Sequence, residues 1–137
     1  MKICAISLSK KDIFEDGLEF AVDWLRKKGE NPYYFREKKP KELPSGSIVL
    51  FSFLGQIFGE ATVKEDIKKL SEEERRQAKE RDGFDYRYSM ILEKSSIVIF
   101  RHYPQKKDVE ERIGKKFGRL FTYLDSKEYQ EILEMAE

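Results

Sequence analysis

Hydrophobic and polar positions follow two periods along the first part of the chain, and each period predicts a different kind of element. The apolar run at residues 2–8 predicts a buried first strand. From about Asp12 to Arg26, apolar residues recur at helical spacing, which predicts an amphipathic helix. Prolines at positions 32, 40 and 44 predict an irregular connection that extends to Gly46. The pattern therefore opens with a strand, a helix and a long connection.

The middle of the chain carries local signals for a hairpin and for a capped helix. Residues 47–53 and 56–63 are β-branched and aromatic runs separated by Leu54-Gly55, a spacing that predicts a β-hairpin. Ser71 and Glu74 form a capping box, which predicts a helix that runs to about Arg81. Further strands are predicted at residues 86–93, 97–100 and 119–124.

The end of the chain predicts one more helix and completes the fold class. A second capping sequence at residues 125–128 starts this helix. Its apolar positions are expected to face the core, and they are Tyr129, Ile132, Leu133 and Ala136. At 137 residues the chain has room for one domain, spanning residues 1–137. The order of elements predicts an α+β fold with a strongly curved mixed β-sheet. No glycine-rich turn links a strand to a helix, which excludes a Rossmann unit.

Composition excludes several classes of protein. The 27 basic and 26 acidic residues leave a net charge of +1, which excludes a histone-like tail or an acidic solvating segment. One Cys and one His exclude zinc ribbons and disulfide frameworks. No apolar run is long enough to span a membrane and the first residues lack a signal-peptide layout, so we expect a cytoplasmic protein. The excess of Lys and Glu over Asn and Gln resembles chains adapted to high temperature.

The small net charge hides a strong segregation along the sequence. Residues 12–23 have a net charge of −5, whereas residues 24–41 have +5 and residues 101–119 have +4. Two basic stretches that converge in the fold would form a positive face for a polyanion. The alternative is ordinary solvated surface.

Catalytic chemistry has little support in the sequence. His102 has no nucleophile near it in the chain, and Cys4 lies in the middle of the predicted first strand. No phosphate-binding loop of the Walker type is present. We therefore expect a protein that is not an enzyme, with no catalytic residues, no metal and no cofactor.

Aromatic residues offer a more informative signal. Trp24 is the only tryptophan, lies away from the apolar stripe of the first helix and precedes the basic residues 26–28. A ring in this setting suits a stacking platform for a base, with core packing as the alternative. Phe84, Tyr86 and Tyr88 form a second aromatic cluster, in which alternation places Tyr86 and Tyr88 on one side of a strand.

Four stretches in this order resemble the YTH domain, a member of the PUA-like group that also includes EVE and ASCH domains. They are Ile6-Ser7-Leu8-Ser9, Val22-Asp23-Trp24, residues 48–53 with Gly59-Glu60-Ala61, and Lys116-Phe117-Gly118-Arg119. The resemblance implies a PUA-like open barrel, a curved mixed sheet flanked by helices. It also implies a module that flips a nucleotide and encloses its methylated base, adenine by preference, in an aromatic cage.

The resemblance assigns roles residue by residue. The implied base pocket consists of Ser7, Ser9, Trp24, Phe84 and Tyr86. The implied phosphate contacts are Lys38, Lys39, Arg101, Lys115, Lys116 and Arg119. The implied partner is a nucleic acid, with DNA favoured and RNA as the alternative.

The family also suggests a biological setting and two further alternatives. Related domains serve as the DNA specificity part of McrB-type restriction systems, which implies a fused or associated NTPase or nuclease. ASCH-type relatives suggest instead a ribonuclease that needs no metal, for which Arg101, Tyr103 and Lys116 are the candidate residues. A domain that only contacts other proteins is the third reading.

Overall fold

The computed structural model describes residues 2–8, 17–29, 31–36 and 38–137. Within these ranges the chain forms four α-helices, eight strands and one short 3₁₀ turn. In chain order they are β1 (Ile3–Ser7), α1 (Leu18–Lys28), β2 (Tyr33–Phe35), β3 (Ile48–Phe53), β4 (Gln56–Thr62), β5 (Lys68–Lys69), α2 (Glu72–Asp82), β6 (Tyr88–Met90), the 3₁₀ turn (Lys94–Ser96), β7 (Val98–Ile99), α3 (Lys106–Ile113), β8 (Phe121–Leu124) and α4 (Ser126–Ala136). No helix in these ranges is both long and apolar enough to cross a bilayer.

The strands form two sheets. The larger sheet has the order β7-β4-β3-β1-β8, in which β1 runs parallel to β3 and antiparallel to β8. The smaller sheet has the order β2-β6-β5. The α+β class and the mixed sheet are therefore confirmed. Within the described residues the strands are divided between two sheets and do not close into a barrel.

The larger sheet separates two hydrophobic clusters. The first cluster joins one face of the sheet to α1 and the smaller sheet, through residues such as Leu25, Phe51 and Met90. The second cluster joins the opposite face to α3 and α4, through residues such as Val109 and Ile132. Every functional side chain discussed below belongs to one side or the other of this central sheet.

Gly59 allows α1 to pack closely on the sheet. A Cβ at this position of β4 would lie 2.8 Å from Leu25 Cδ2 and 2.7 Å from the Val98 carbonyl oxygen. Real Cβ atoms do not approach other atoms this closely, so a larger residue would push the backbone of β7 away and force the Leu25 side chain to move. The glycine therefore allows both β7 and the side chain of Leu25 to pack closely on β4.

The sequence signals that are encoded locally, two capping boxes and a two-residue turn, are confirmed. The capping boxes of α2 and α4 are both present, and the hairpin joins β3 to β4 at Leu54-Gly55. The predicted strand at residues 86–93 shortens to three residues. Helix α1 continues to Lys28, beyond its predicted end, and its predicted beginning at Asp12 lies outside the described residues. The sequence did not predict β2, β5 or α3.

Candidate nucleic-acid interface

Five aromatic rings, one from α1 and four from strands, contact one another in a continuous series. We call this series the aromatic arc. Its members come from α1, β2, β3 and β8, and they are Trp24, Tyr33, Phe35, Phe51 and Phe121. Contacting ring centroids within the series lie 4.9–6.4 Å apart, with interplanar angles of 55–80°. The three middle rings are buried, whereas the two end rings are half-buried. The arc thus has a buried floor and two more accessible ends.

Trp24 forms one accessible end of the arc. It lies in the body of α1, with its ring nearly perpendicular to those of Tyr33 and Phe51. None of the described rings lies parallel to the indole, and Lys28 Nζ lies over it, 5.1 Å from its centroid. The ring is therefore packed by other aromatic rings at the margin of the core, with a cation beside it.

Ser7 lies on the opposite face of the central sheet from Trp24. Ser7 Oγ accepts a hydrogen bond from Lys106 Nζ, on the side of α3, and Ser52 Oγ lies 3.4 Å from it. The structure therefore does not bring Ser7 into one pocket with Trp24. Ser9, the other residue expected at the base edge, lies outside the described residues.

Lys106 is a residue that sequence reasoning missed. Its ammonium is half-buried and lies 5.9 Å from the Phe117 ring centroid. Burial lowers the pKa of Lys106 below the usual range for lysine, and nearby Glu110 partly opposes this effect. Its contact with Ser7 spans 99 positions of sequence, so no local pattern could have revealed it.

The segment from Lys116 to Arg119 has a fixed backbone and exposed cations. The Phe117 N–H donates to Glu110 Oε2 at 2.7 Å, and the Gly118 N–H donates to Thr122 Oγ1 at 2.6 Å. Lys116 and Arg119 are exposed and form no ion pair with any described residue. Unpaired cations on an ordered backbone are suited to contacts with phosphate.

This segment leads directly into the end of the arc. The Ser7 N–H donates to the Leu120 carbonyl oxygen at 3.0 Å, so the start of β8 lies beside the end of β1. Phe121, the next residue, is the second accessible ring of the arc. The chain therefore passes from the exposed cations into the arc at one end of the central sheet, which we call the β1 end.

The other four predicted phosphate contacts lie in different settings. Lys115 Nζ donates to the Tyr123 carbonyl oxygen at 2.6 Å and lies 3.3 Å from Glu128 Oε1, so it already has internal partners. Lys39 lines a cleft of about 380 Å³ that includes Lys2 at the start of β1, the opposite end of the sheet. Lys38 and Arg101 are exposed. Lys116 and Arg119 shortly precede Phe121 of the arc in the chain, and Lys38 and Lys39 shortly follow Phe35.

Phe84 and Tyr86 belong to a second aromatic group, which we call the outer stack. The rings of Tyr34 and Tyr86 lie parallel, with centroids 5.0 Å apart and an angle of 15°. Arg36 covers Phe84 with its guanidinium carbon 3.8 Å from the ring centroid, and Arg81 lies 5.3 Å from that of Tyr34.

The outer stack is separate from the arc. Tyr33 belongs to the arc and Tyr34 to the stack, and successive residues of a strand point to opposite faces. Phe84 and Tyr86 therefore lie on the far side of β2 from Trp24, and the structure does not bring these three rings together as walls of one cage.

The described residues offer little for catalysis. Burial raises the pKa of the Cys4 thiol to about 11, so it stays protonated at neutral pH. Tyr103 packs against both hydrophobic clusters, while Arg101 and Lys116 are exposed and in separate segments. No cluster of three or more His, Cys, Asp or Glu side chains in the described ranges is arranged to hold a metal ion.

Comparison with known proteins identifies the architecture. No family model matches the sequence, and no curated protein is similar to it. Among solved structures, the ASCH protein of Zymomonas mobilis superposes with a TM-score of 0.64 at 14% identity, covering 99% of this chain and 96% of that one. The N-terminal domain of Thermococcus gammatolerans McrB, solved with m5C DNA, gives 0.61 at 13% identity, covering 98% and 96%.

A YTH domain is also among the similar solved structures. The domain from a Zygosaccharomyces rouxii protein, solved with N6-methyladenosine RNA, gives a TM-score of 0.56 at 13% identity, covering 98% of this chain and 85% of that one. The chain has a PUA-like fold. The resemblance found in the sequence is therefore confirmed at the level of fold, and the PUA-like architecture places the arc and its cations on a scaffold shared by ASCH, McrB and YTH domains.

Proposed function

We propose that this PUA-like domain binds nucleic acid and reads a modified base, with Trp24 as the stacking wall. The observation that carries the proposal is that two exposed cations, which pair with no described residue, directly precede the Phe121 end of the aromatic arc in the chain. The arc supplies flat apolar surface for a base, and Lys116 and Arg119 supply charge for the phosphates on either side.

The preferred base is a methylated one, with N6-methyladenine first. A methyl group adds apolar area that aromatic rings can cover, worth about 0.8 kcal/mol by burial alone. Two domains of the same fold were solved with nucleic acid carrying a methylated base, 5-methylcytosine in DNA and N6-methyladenosine in RNA. These structural neighbours support the class of ligand.

DNA is the proposed partner, as part of a modification-dependent restriction system. The McrB relative supports this setting, in which an associated NTPase or nuclease would act on the DNA that this domain selects. The YTH relative supports the alternative, an RNA reader. The proposed domain carries no chemistry of its own.

The test is binding to a matched panel of single- and double-stranded DNA and RNA, each with and without N6-methyladenine or 5-methylcytosine. Trp24→Ala is expected to weaken binding to the preferred probe by about 1–3 kcal/mol and to remove its advantage over the unmodified probe. Tyr86→Ala in the outer stack is the matched control, and it should leave both affinities unchanged. A preference that survives Trp24→Ala would contradict the proposed role of this ring.

The alternative function, an ASCH-type ribonuclease that needs no metal, has a test of its own. Labelled RNA is incubated with the protein in the presence of EDTA. The proposed reader leaves the RNA intact. Cleavage that is lost in Lys116→Ala or Arg101→Ala would favour the ribonuclease instead.

A further inference from the structure

We propose that Leu54, at the tip of the β3–β4 hairpin, is a wedge that enters a nucleic-acid duplex when a base is flipped out. The inference rests on the proposed function and adds to it a duplex partner and a second contact residue.

The hairpin tip contains a residue that neither the turn nor the core explains. Leu54 has φ 51° and Gly55 has φ 77°, so both central residues of this two-residue turn are left-handed. Such a turn favours Asn or Asp at the first position, because a leucine side chain is unfavourable in left-handed backbone. Leu54 is also 53% exposed and belongs to neither hydrophobic cluster.

The tip lies at the β1 end of the sheet, beside the proposed base site. Ser52 pairs with Ser7 in the register of β3 and β1, and β8 is the next strand beyond β1. Neighbouring strands lie about 4.8 Å apart, so Ser52 and Leu120 are separated by about 10 Å across the sheet, and Leu54 lies two residues beyond Ser52. Leu120 is itself 40% exposed.

Basic side chains lie near both leucines, together with the exposed carboxylate of Asp108 in the first turn of α3. The Lys106 N–H donates to the Gly55 carbonyl oxygen at 2.8 Å, so the first turn of α3 packs against the hairpin tip. Lys107 is exposed in that same turn, and the exposed cations Lys116 and Arg119 flank the other leucine. An apolar tip between cations has the chemistry of a wedge that enters a base stack while its neighbours contact the phosphates.

A flipped base leaves a gap in the duplex, and an apolar side chain that fills the gap offsets part of the lost stacking. A single strand has no such gap to fill. The wedge hypothesis therefore predicts an effect on duplex binding that is absent from single-strand binding.

Leu54→Asn is the decisive variant because it removes the apolar side chain and introduces a residue that the turn prefers. The thermal unfolding midpoint of Leu54→Asn should equal or exceed that of the unmodified protein. A change in binding would then not be due to loss of folding. Matched DNA duplexes and single strands carrying N6-methyladenine or 5-methylcytosine are the probes.

We expect Leu54→Asn to weaken duplex binding about tenfold and single-strand binding less than about twofold. Leu54→Met, which keeps an apolar tip, should retain most of the duplex affinity. Val98→Ala is the matched control, since Val98 is 49% exposed but pairs with Glu60 far along β4 from the tip. It should change neither affinity.

The outcomes separate the two proposals. If the unmodified protein prefers a methylated probe but Leu54→Asn changes duplex and single-strand binding equally, or changes neither, the wedge is overturned and the reader stands. If the unmodified protein binds none of the probes, the proposed function fails, and the wedge fails with it.

Discussion

The aromatic arc and the outer stack have similar compositions but different arrangements. Each combines aromatic rings with basic side chains, and each uses β2. In the arc, the rings meet nearly at right angles and the half-buried members lie at its two ends. In the stack, Tyr34 and Tyr86 already lie face to face, and Arg36 covers Phe84.

The difference shows why composition alone does not locate a base-binding site. A base needs the flat face of a ring. The stack covers such faces with a parallel ring and a guanidinium, whereas Trp24 has no parallel ring among the described residues and has the Lys28 ammonium over it. The basic residues of the two regions also differ in whether they already have an ion-pair partner. Arg81 of the stack lies 3.0 Å from Asp82, whereas Lys116 and Arg119 beside the arc pair with no described residue. This contrast supports the proposal that the arc, and not the stack, meets the ligand.

The largest expected contrast is in stability, because the floor of the arc is also the core of the domain. Phe51 is fully buried, so Phe51→Ala should lower the free energy of unfolding by about 3–5 kcal/mol. Phe84→Ala in the outer stack removes a half-buried ring and should cost about 1 kcal/mol. Urea denaturation of the two variants measures the contrast. Equal losses would mean that the stack is as much a part of the core as the arc.

The sequence predicted elements that are encoded locally. Capping sequences identified α2 and α4, and alternation with a two-residue turn identified the hairpin. Strand β2 was missed because it has only three residues and directly follows Pro32. Helix α3 was missed because Gln105, its N-cap, makes no side-chain capping bond. Short or uncapped elements depend on tertiary packing, which a sequence pattern does not reveal.

The candidate site was predicted only in part, for a related physical reason. Trp24, Lys116 and Arg119 could be found because each belongs to a short motif. Their partners come from distant segments, since Trp24 meets Phe51 from β3 and its arc ends at Phe121 in β8. The sequence joined Phe84 and Tyr86 to Trp24 because all three are aromatic. The face of β2 on which each ring lies separates them, and that is a property of the fold.

The next contrast concerns charge, and it compares the cations of the two regions. Lys116→Ala with Arg119→Ala should weaken binding to modified and unmodified DNA alike, because phosphate contacts carry no information about the base. The slope of log affinity against log salt is negative. Each lost phosphate contact makes it shallower by about 0.9, so the double variant should make it shallower by about 2.

The matched variant, Arg36→Ala with Arg81→Ala, removes two cations from the outer stack. It keeps the same change in net charge, so a general electrostatic effect would appear in both variants. We expect its salt slope to match that of the unmodified protein. A shallower salt slope for Arg36→Ala with Arg81→Ala as well would show that the nucleic acid also crosses the outer stack.

The smallest expected contrast compares the single cations that cover an aromatic ring in each region. Lys28→Met removes the ammonium 5.1 Å from the Trp24 ring centroid, a contact worth about 0.5–1 kcal/mol. Because Trp24 is the only tryptophan, its fluorescence reports on the arc alone. We expect Lys28→Met to shift the emission maximum and to weaken binding by a factor of about 2–5. Arg36→Met, which uncovers Phe84, should change neither the emission nor the affinity. If the two variants exchange these effects, the outer stack and not the arc is the surface that meets the ligand.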